Sequence, residues 1–288
     1  MFGRAFAISV LAACAILAGI ARAEVAVSVE KVSFRVADAF EKGTGVTGEL
    51  GIPDAKPGRL PAVLIVDSTP GFDGRGRFHA EGLNPAGIAT LEIDVFEGKG
   101  QPASPRNNLP HVYESLQWLA GHPRIEPARI GIMGFSSGGI LTVLASSDAL
   151  ARQYGGDRRF AAHLGFYPHC WFLRRIPAGT LDTLKPDVFA SFTGRPVRIL
   201  LGGKDDYEAP ASCLALIDAL PPRERSHFEL TVYPGATFAW DSVAGSATWN
   251  ANINGGRGGT VTVVADREIA EKSRADAVSY FRKHLNVE

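Results

Sequence analysis

A chain of 288 residues, 45% hydrophobic and 21% charged, is long enough to bury one large core. Thirty basic and thirty acidic residues balance to zero net charge with no Lys/Arg run, so the composition excludes a nucleic-acid partner. Three cysteines without C-x-x-C spacing, and no His/Cys/Glu spacing that suggests a metal, give no zinc or redox motif.

The chain opens MFGRAFAISVLAACAILAGIARAEV: one early arginine, an apolar run, then Ala21-Arg22-Ala23. This reads as a secretory signal peptide over residues 1–23, which predicts a periplasmic or secreted protein. The run is shorter than the roughly 20 residues a spanning helix needs, and no second long one follows. No membrane span is therefore expected after cleavage. Residues 24–288 hold no repeat or linker and read as one domain.

Residues 24–35 and 45–52 are a predicted antiparallel strand pair. PAVLIVDS (61–68) is a continuous apolar run, as a strand buried on both faces requires. A helix is predicted over 76–87, a strand over 88–95, an amphipathic helix over 107–122, a buried strand over 129–134 and a helix over 137–153. Strands follow at 160–168, 196–203 and 227–234, with helices at 210–220 and 267–285. This alternation predicts an α/β fold, a mostly parallel sheet with helices on both faces. Residues 171–195 and 241–263 lack periodicity and are expected as loops over the sheet's carboxyl edge, where such folds build their sites. NGGRGG (254–259) follows no buried strand and is expected to be a loop, not a phosphate cradle.

Gly134-Phe135-Ser136-Ser137-Gly138 sits between a short apolar strand and an apolar helix. That strand–turn–helix setting is what a nucleophile elbow requires. Ser136 is the candidate nucleophile, and the Ser137 N–H at the helix start is a candidate oxyanion donor. RILLGGKDDYEAP (198–210) places Asp205 and Asp206 on the loop after a later strand, where a carboxylate orients a histidine. Spacing alone does not separate the two; Asp205 is the favoured acid, and a turn or helix-cap role is the alternative. After cleavage Cys170 and Cys213 are the remaining cysteines: a candidate disulfide in an oxidising compartment, otherwise two buried thiols. Closed, their loop would contribute roughly 4 kcal/mol on the chain-entropy model.

With these pieces in place the chain resembles the dienelactone hydrolase family of α/β-hydrolases over nearly all of residues 24–288. LIVDSTPGFDGRG, GIATLEIDVF, RIGIMGFSSGG, FYPHCW, LLGGKDDYEAP and YPGATFAWD carry the likeness. The resemblance implies a nucleophile at Ser136, an acid at Asp205, and an oxyanion hole from the Ser137 N–H and a backbone N–H near Thr69. It also implies small ester or lactone substrates and no cofactor. One departure stands out: relatives carry the catalytic histidine where this chain has Phe238, and phenylalanine cannot accept a proton. Asp67, beside the oxyanion loop, is a second departure.

Among the seven histidines, His169 is the candidate substitute base, since it falls at the carboxyl end of a central strand. His79 is a candidate pocket residue and His163 a core residue. His111, His122, His227 and His284 read as surface or element-end positions. Tyr167, Trp171, Phe172, Tyr207 and Trp240 are expected at a pocket rim or packed at loop bases. Two readings follow. One is a hydrolase working through acyl-Ser136; the other is a non-catalytic descendant that binds a small apolar ligand where Phe238 dries the old pocket.

Overall fold

The computed structural model describes residues 25–36, 45–54, 57–69, 71–96, 105–251 and 258–287. The signal-peptide reading of residues 1–23 and most of NGGRGG lie outside the described residues.

Strand β3 (Leu60–Val66) is buried at every position, as its unbroken apolar sequence dictates. It pairs in parallel with β4 (Ala89–Asp94) on one side and β5 (Ile125–Phe135) on the other. Strands β6 (His163–Phe166), β7 (Val197–Gly202) and β8 (Phe228–Tyr233) continue the parallel run. At the opposite end β2 (Gly45–Pro53) lies antiparallel to β4, and β1 (Val27–Arg35) antiparallel to β2. The sheet order is β1-β2-β4-β3-β5-β6-β7-β8. This is the predicted α/β architecture with its antiparallel N-terminal pair.

Two glycines of β5 show how helices cover both faces. A Cβ at Gly131 would meet the Phe281 ring of α7 (Arg267–His284), and one at Gly134 would meet the backbone of α3 (Ser137–Leu144). Residues three apart on a strand point to opposite faces. Helix α1 (Arg75–Leu83) packs with α7, and α2 (Pro105–Gly121) with α3 and α4 (Asp148–Gly155).

Two expectations need correction. The single helix over 137–153 is two helices, α3 and α4. Ser147 breaks it: its hydroxyl accepts from Leu150 N–H as a helix cap and donates to the Val188 carbonyl at 2.5 Å. The stretch 241–263 is not all loop: β9 (Ala247–Ala251) and β10 (Gly259–Val263) form an antiparallel hairpin. The Asp206 carboxylate accepts from Thr262 N–H at 3.0 and 3.1 Å and ties the hairpin to the loop after β7. In the stretch 171–195, α5 (Cys170–Leu173) and a 3-10 turn at Pro186–Phe189 stand within otherwise irregular chain. Cys170 and Cys213 are joined as a disulfide, which links α5 to α6 (Pro210–Ala219). No helix among the described residues is long and apolar enough to cross a membrane.

Candidate active site

Ser136 sits between β5 and α3 at φ 52° and ψ −110°. A left-handed backbone at a non-glycine residue costs of order 1–3 kcal/mol, so the surroundings must enforce it. They do so by close approach. A Cβ at Gly138 would lie 2.2 Å from the Val66 carbonyl oxygen, and one at Gly134 2.4 Å from that of Gly138. Ser136 N–H donates to the Phe166 carbonyl at 3.0 Å, and its own carbonyl accepts from Ile140 N–H at 2.9 Å. The predicted elbow is therefore built, with Ser136 only 8% exposed at its tip.

The segment after β3 reaches the same place. The hydroxyls of Thr69 and Ser137 lie 2.6 Å apart, which sets the Thr69 backbone beside the first turn of α3. Asp67, just upstream, is wholly buried. Burial first, then the charges of Glu92 and Asp73, push its carboxyl up to about 10. It is therefore a neutral acid at physiological pH.

The base position is where the structure is most informative. Phe238, on the loop after β8, is buried among rings: Tyr207 at 4.9 Å, Tyr167 at 5.0 Å and Trp249 of β9 at 6.2 Å. His169, at the N-terminal end of α5, instead brings Nε2 to 3.3 Å from Ser136 Oγ. Its half-buried imidazole stacks on Tyr207 with centroids 4.3 Å apart. Loss of hydration pulls its pKa down to about 4, so the ring is neutral and able to accept a proton at pH 7.

Asp205 occupies the acid position of the resemblance but bonds no histidine among the described residues. Its Oδ1 accepts from Tyr207 N–H at 2.8 Å and Glu208 N–H at 2.9 Å, while Oδ2 is buried without a partner. Burial drives its pKa up to about 7, against the pull of those two backbone bonds. Asp206 instead accepts from Thr262 N–H of the hairpin. Ser136, Ser137, Thr69 and His169 thus come together; Asp205 reaches them through Tyr207 and Glu208, and Phe238 packs beside Tyr207 and His169.

Other candidates lie elsewhere. His79 does not line a pocket: it is wholly buried, with Nε2 2.9 Å from Asp241 Oδ2. Asp241 Oδ1 accepts from the Tyr167 hydroxyl at 2.5 Å, and that hydroxyl accepts from Arg75 Nη1 at 2.8 Å. Arg75 also donates to Asp73 and to Ser68. Although burial works against it, the bonds from His79 and Tyr167 and the charge of Arg75 hold Asp241 below the usual carboxylate range. This chain ties the segment after β3 to the Phe238 loop, and nothing in the sequence pattern pointed to Arg75 or Asp241. His163 is a core residue, its Nδ1 3.2 Å from the Pro196 carbonyl. His111 is buried rather than at the surface, and Tyr167 and Trp240 are fully buried in the core rather than at a rim.

The fold is shared with solved structures. A dienelactone hydrolase-like promiscuous phosphotriesterase from metagenomic libraries matches with a TM-score of 0.63 at 18% identity, covering 90% of this chain and 99% of that one. Est1E from Butyrivibrio proteoclasticus matches at 0.59 and 16% identity, with the same coverage of 90% and 99%. In sequence, a Bradyrhizobium protein described as a probable 2-oxo-3-(5-oxofuran-2-ylidene)propanoate lactonase is 25% identical over 221 residues, 68% of this chain and 83% of its own. The family model for dienelactone hydrolases matches residues 46–285, and the elbow, the carboxylate loop and the sheet that carries them place this chain in the dienelactone hydrolase family.

Proposed function

We propose that the protein hydrolyses small esters or lactones through an acyl-Ser136 intermediate, with His169 as the general base. The observation that carries this reading is the 3.3 Å approach of His169 Nε2 to Ser136 Oγ. His169 takes the hydroxyl proton as Oγ attacks the carbonyl carbon. The backbone N–H groups of Ser137 and the Thr69 segment receive the developing oxyanion. The imidazolium then protonates the leaving oxygen, which in a lactone stays tethered to the acyl chain. Water attacks the acyl-enzyme with His169 again as base, releasing the acid and restoring Ser136. No step calls for a cofactor. The lactonase name of the Bradyrhizobium relative supports the lactone part of the substrate class. Among the described residues no carboxylate bonds His169, so the imidazolium lacks its usual support and turnover is slow compared with a full triad.

The same reading includes export. The apolar N-terminal segment and the Cys170–Cys213 disulfide both suit a periplasmic or secreted protein.

Intact-mass labelling by a fluorophosphonate tests the mechanism on wild type, Ser136→Ala and His169→Ala. The expected result is single labelling of wild type, none of Ser136→Ala and at least roughly hundredfold slower labelling of His169→Ala. Wild type that stays unlabelled would overturn the proposal and favour the ligand-binding reading that Phe238 suggests.

A further inference from the structure

The loop after β7 meets no histidine from the loop after β8, yet two of its residues contact the segment that carries His169. We infer that Tyr207 and Glu208 of this loop, together with the Cys170–Cys213 disulfide, are positioning elements that hold the His169 imidazole against Ser136; this rests on His169 acting as the base.

Three separate ties converge on the residues that carry the imidazole. The Tyr207 ring stacks on the His169 ring at 4.3 Å with an interplanar angle of 23°. Glu208 Oε2 accepts from Trp171 N–H at 3.0 Å and so satisfies an open donor in the first turn of α5, which His169 caps. Cys170, the next residue after His169, is covalently joined to Cys213 of α6. Asp205 stands behind all of this: its Oδ1 accepts from both Tyr207 and Glu208 N–H and shapes the turn that presents them.

These ties matter because α5 is only four residues long. A single turn does not hold itself, since helix nucleation is unfavourable without outside contacts. The chain beyond it, to residue 196, holds turns, one short 3-10 segment and a single bridge of Phe192 to Ser147, with no longer helix or strand. His169 is therefore placed from outside, and every tie to the 205–213 segment fixes it. In the resemblance an acid at Asp205 would hold a histidine directly. Here it acts one step removed, through the backbone it folds. Phe238 gains a physical reason as well: its ring packs on Tyr207 at 4.9 Å and lies 6.3 Å from His169, filling the space beside both.

The test is steady-state hydrolysis of p-nitrophenyl acetate by the full-length protein, with near-UV circular dichroism to verify folding. Tyr207→Leu is expected to lower kcat about 10- to 100-fold with KM within about twofold, because misplacing a base by an ångström costs that much while binding is unchanged. Tyr207→Phe keeps the stack and most of kcat. Glu208→Ala lowers kcat in the same way, and Glu208→Gln, which keeps an acceptor for Trp171 N–H, restores most of it. The double variant Cys170→Ala/Cys213→Ala loses kcat as well. If Tyr207→Leu fails to fold, the Glu208 pair decides. If His169→Ala is inactive while folded Tyr207→Leu or Glu208→Ala turns over like wild type, the positioning role is overturned and the base assignment stands. If His169→Ala itself turns over like wild type, the base assignment has failed, and the positioning role with it.

Discussion

The imidazole of His169 lies on the ring of Tyr207, centroids 4.3 Å apart, while its Nε2 faces Ser136 Oγ at 3.3 Å. The two residues leave from the carboxyl ends of neighbouring strands, β6 and β7. The base therefore enters from a different strand end than the one that carries Phe238. In the proposed mechanism Ser136 and the Thr69 segment keep the places the resemblance implies, and His169 replaces the base expected at position 238.

Among the described residues Asp205 Oδ2 is buried without a partner, and Tyr207, whose N–H bonds Asp205 Oδ1, packs on the Phe238 ring. In a His169→Ala background, Phe238→His is expected to recover at least about tenfold of the lost kcat/KM, since an acid–base pair is typically worth 10²–10⁴. Ester hydrolysis by the single and double variants reads this out. No recovery in a folded double variant would mean that Asp205 cannot serve the introduced imidazole.

The pH profile of kcat/KM should carry the mark of His169. A base works in its deprotonated form, so the rate rises with pH through its pKa. Burial depresses that pKa from 6.5 to about 4. Asp205 and Glu208 are both held up to about 7, so neither presents full negative charge to the imidazole on the acid side. The expected profile has its acid limb well below pH 6.5 and is flat through neutrality. A limb at or above 6.5 would point to a hydrated or ion-paired histidine, contrary to the structure.

The elbow and the parallel sheet were legible because each depends on local pattern. Gly134-Phe135-Ser136-Ser137-Gly138 needs small residues at a tight turn, and LPAVLIV needs burial on both faces. The pairing of β9 with β10 was not legible, because residues 241–263 lack periodicity and NGGRGG at 254–259 reads as loop. What orders it includes a distant contact, the Asp206 carboxylate on Thr262 N–H, across 56 positions. The helix break at Ser147 likewise depends on Val188, 41 residues away. His169 could be named from its strand end, but its reach to Ser136 depends on the ties to residues 207, 208 and 213. Sequence spacing does not encode contacts of that kind.

Gly138→Ala is expected to unmake the elbow. The added methyl would stand 2.2 Å from the Val66 oxygen and 2.5 Å from that of Asp67, both backbone atoms that cannot rotate away. A cost of about 3 kcal/mol follows from such overpacking, which lowers Tm by roughly 6–12 °C in a chain of this size. Thermal unfolding of the variant measures it. A Tm within about 2 °C of wild type would mean that β3 and α3 can separate freely, which their close packing denies.

Buried carboxyls set how stability depends on pH. Asp205 is raised from 3.8 to about 7, and Glu208 and Glu92 from 4.5 to about 7, each chiefly by burial. The folded protein therefore holds protons that the unfolded chain has released between about pH 4 and pH 7. Stability falls as pH rises through that window, because the unfolded state binds fewer protons there. Asp67, raised to about 10, extends the decline into the alkaline range. Asp205→Asn removes one share of this penalty: its Oδ can still accept from Tyr207 and Glu208 N–H, and no charge replaces the orphaned oxygen. The variant is expected to gain about 1–3 kcal/mol over wild type at pH 8, and little at pH 4.5 where Asp205 is already neutral. Its ester hydrolysis should stay within a few-fold of wild type, whereas neutralising the acid of a full triad costs about 10⁴. Unfolding curves for both proteins from pH 4.5 to 8 decide the first point. A stability difference that does not change with pH would show that Asp205 is not held neutral by burial, and a 10⁴ loss of rate would return it to the role of triad acid.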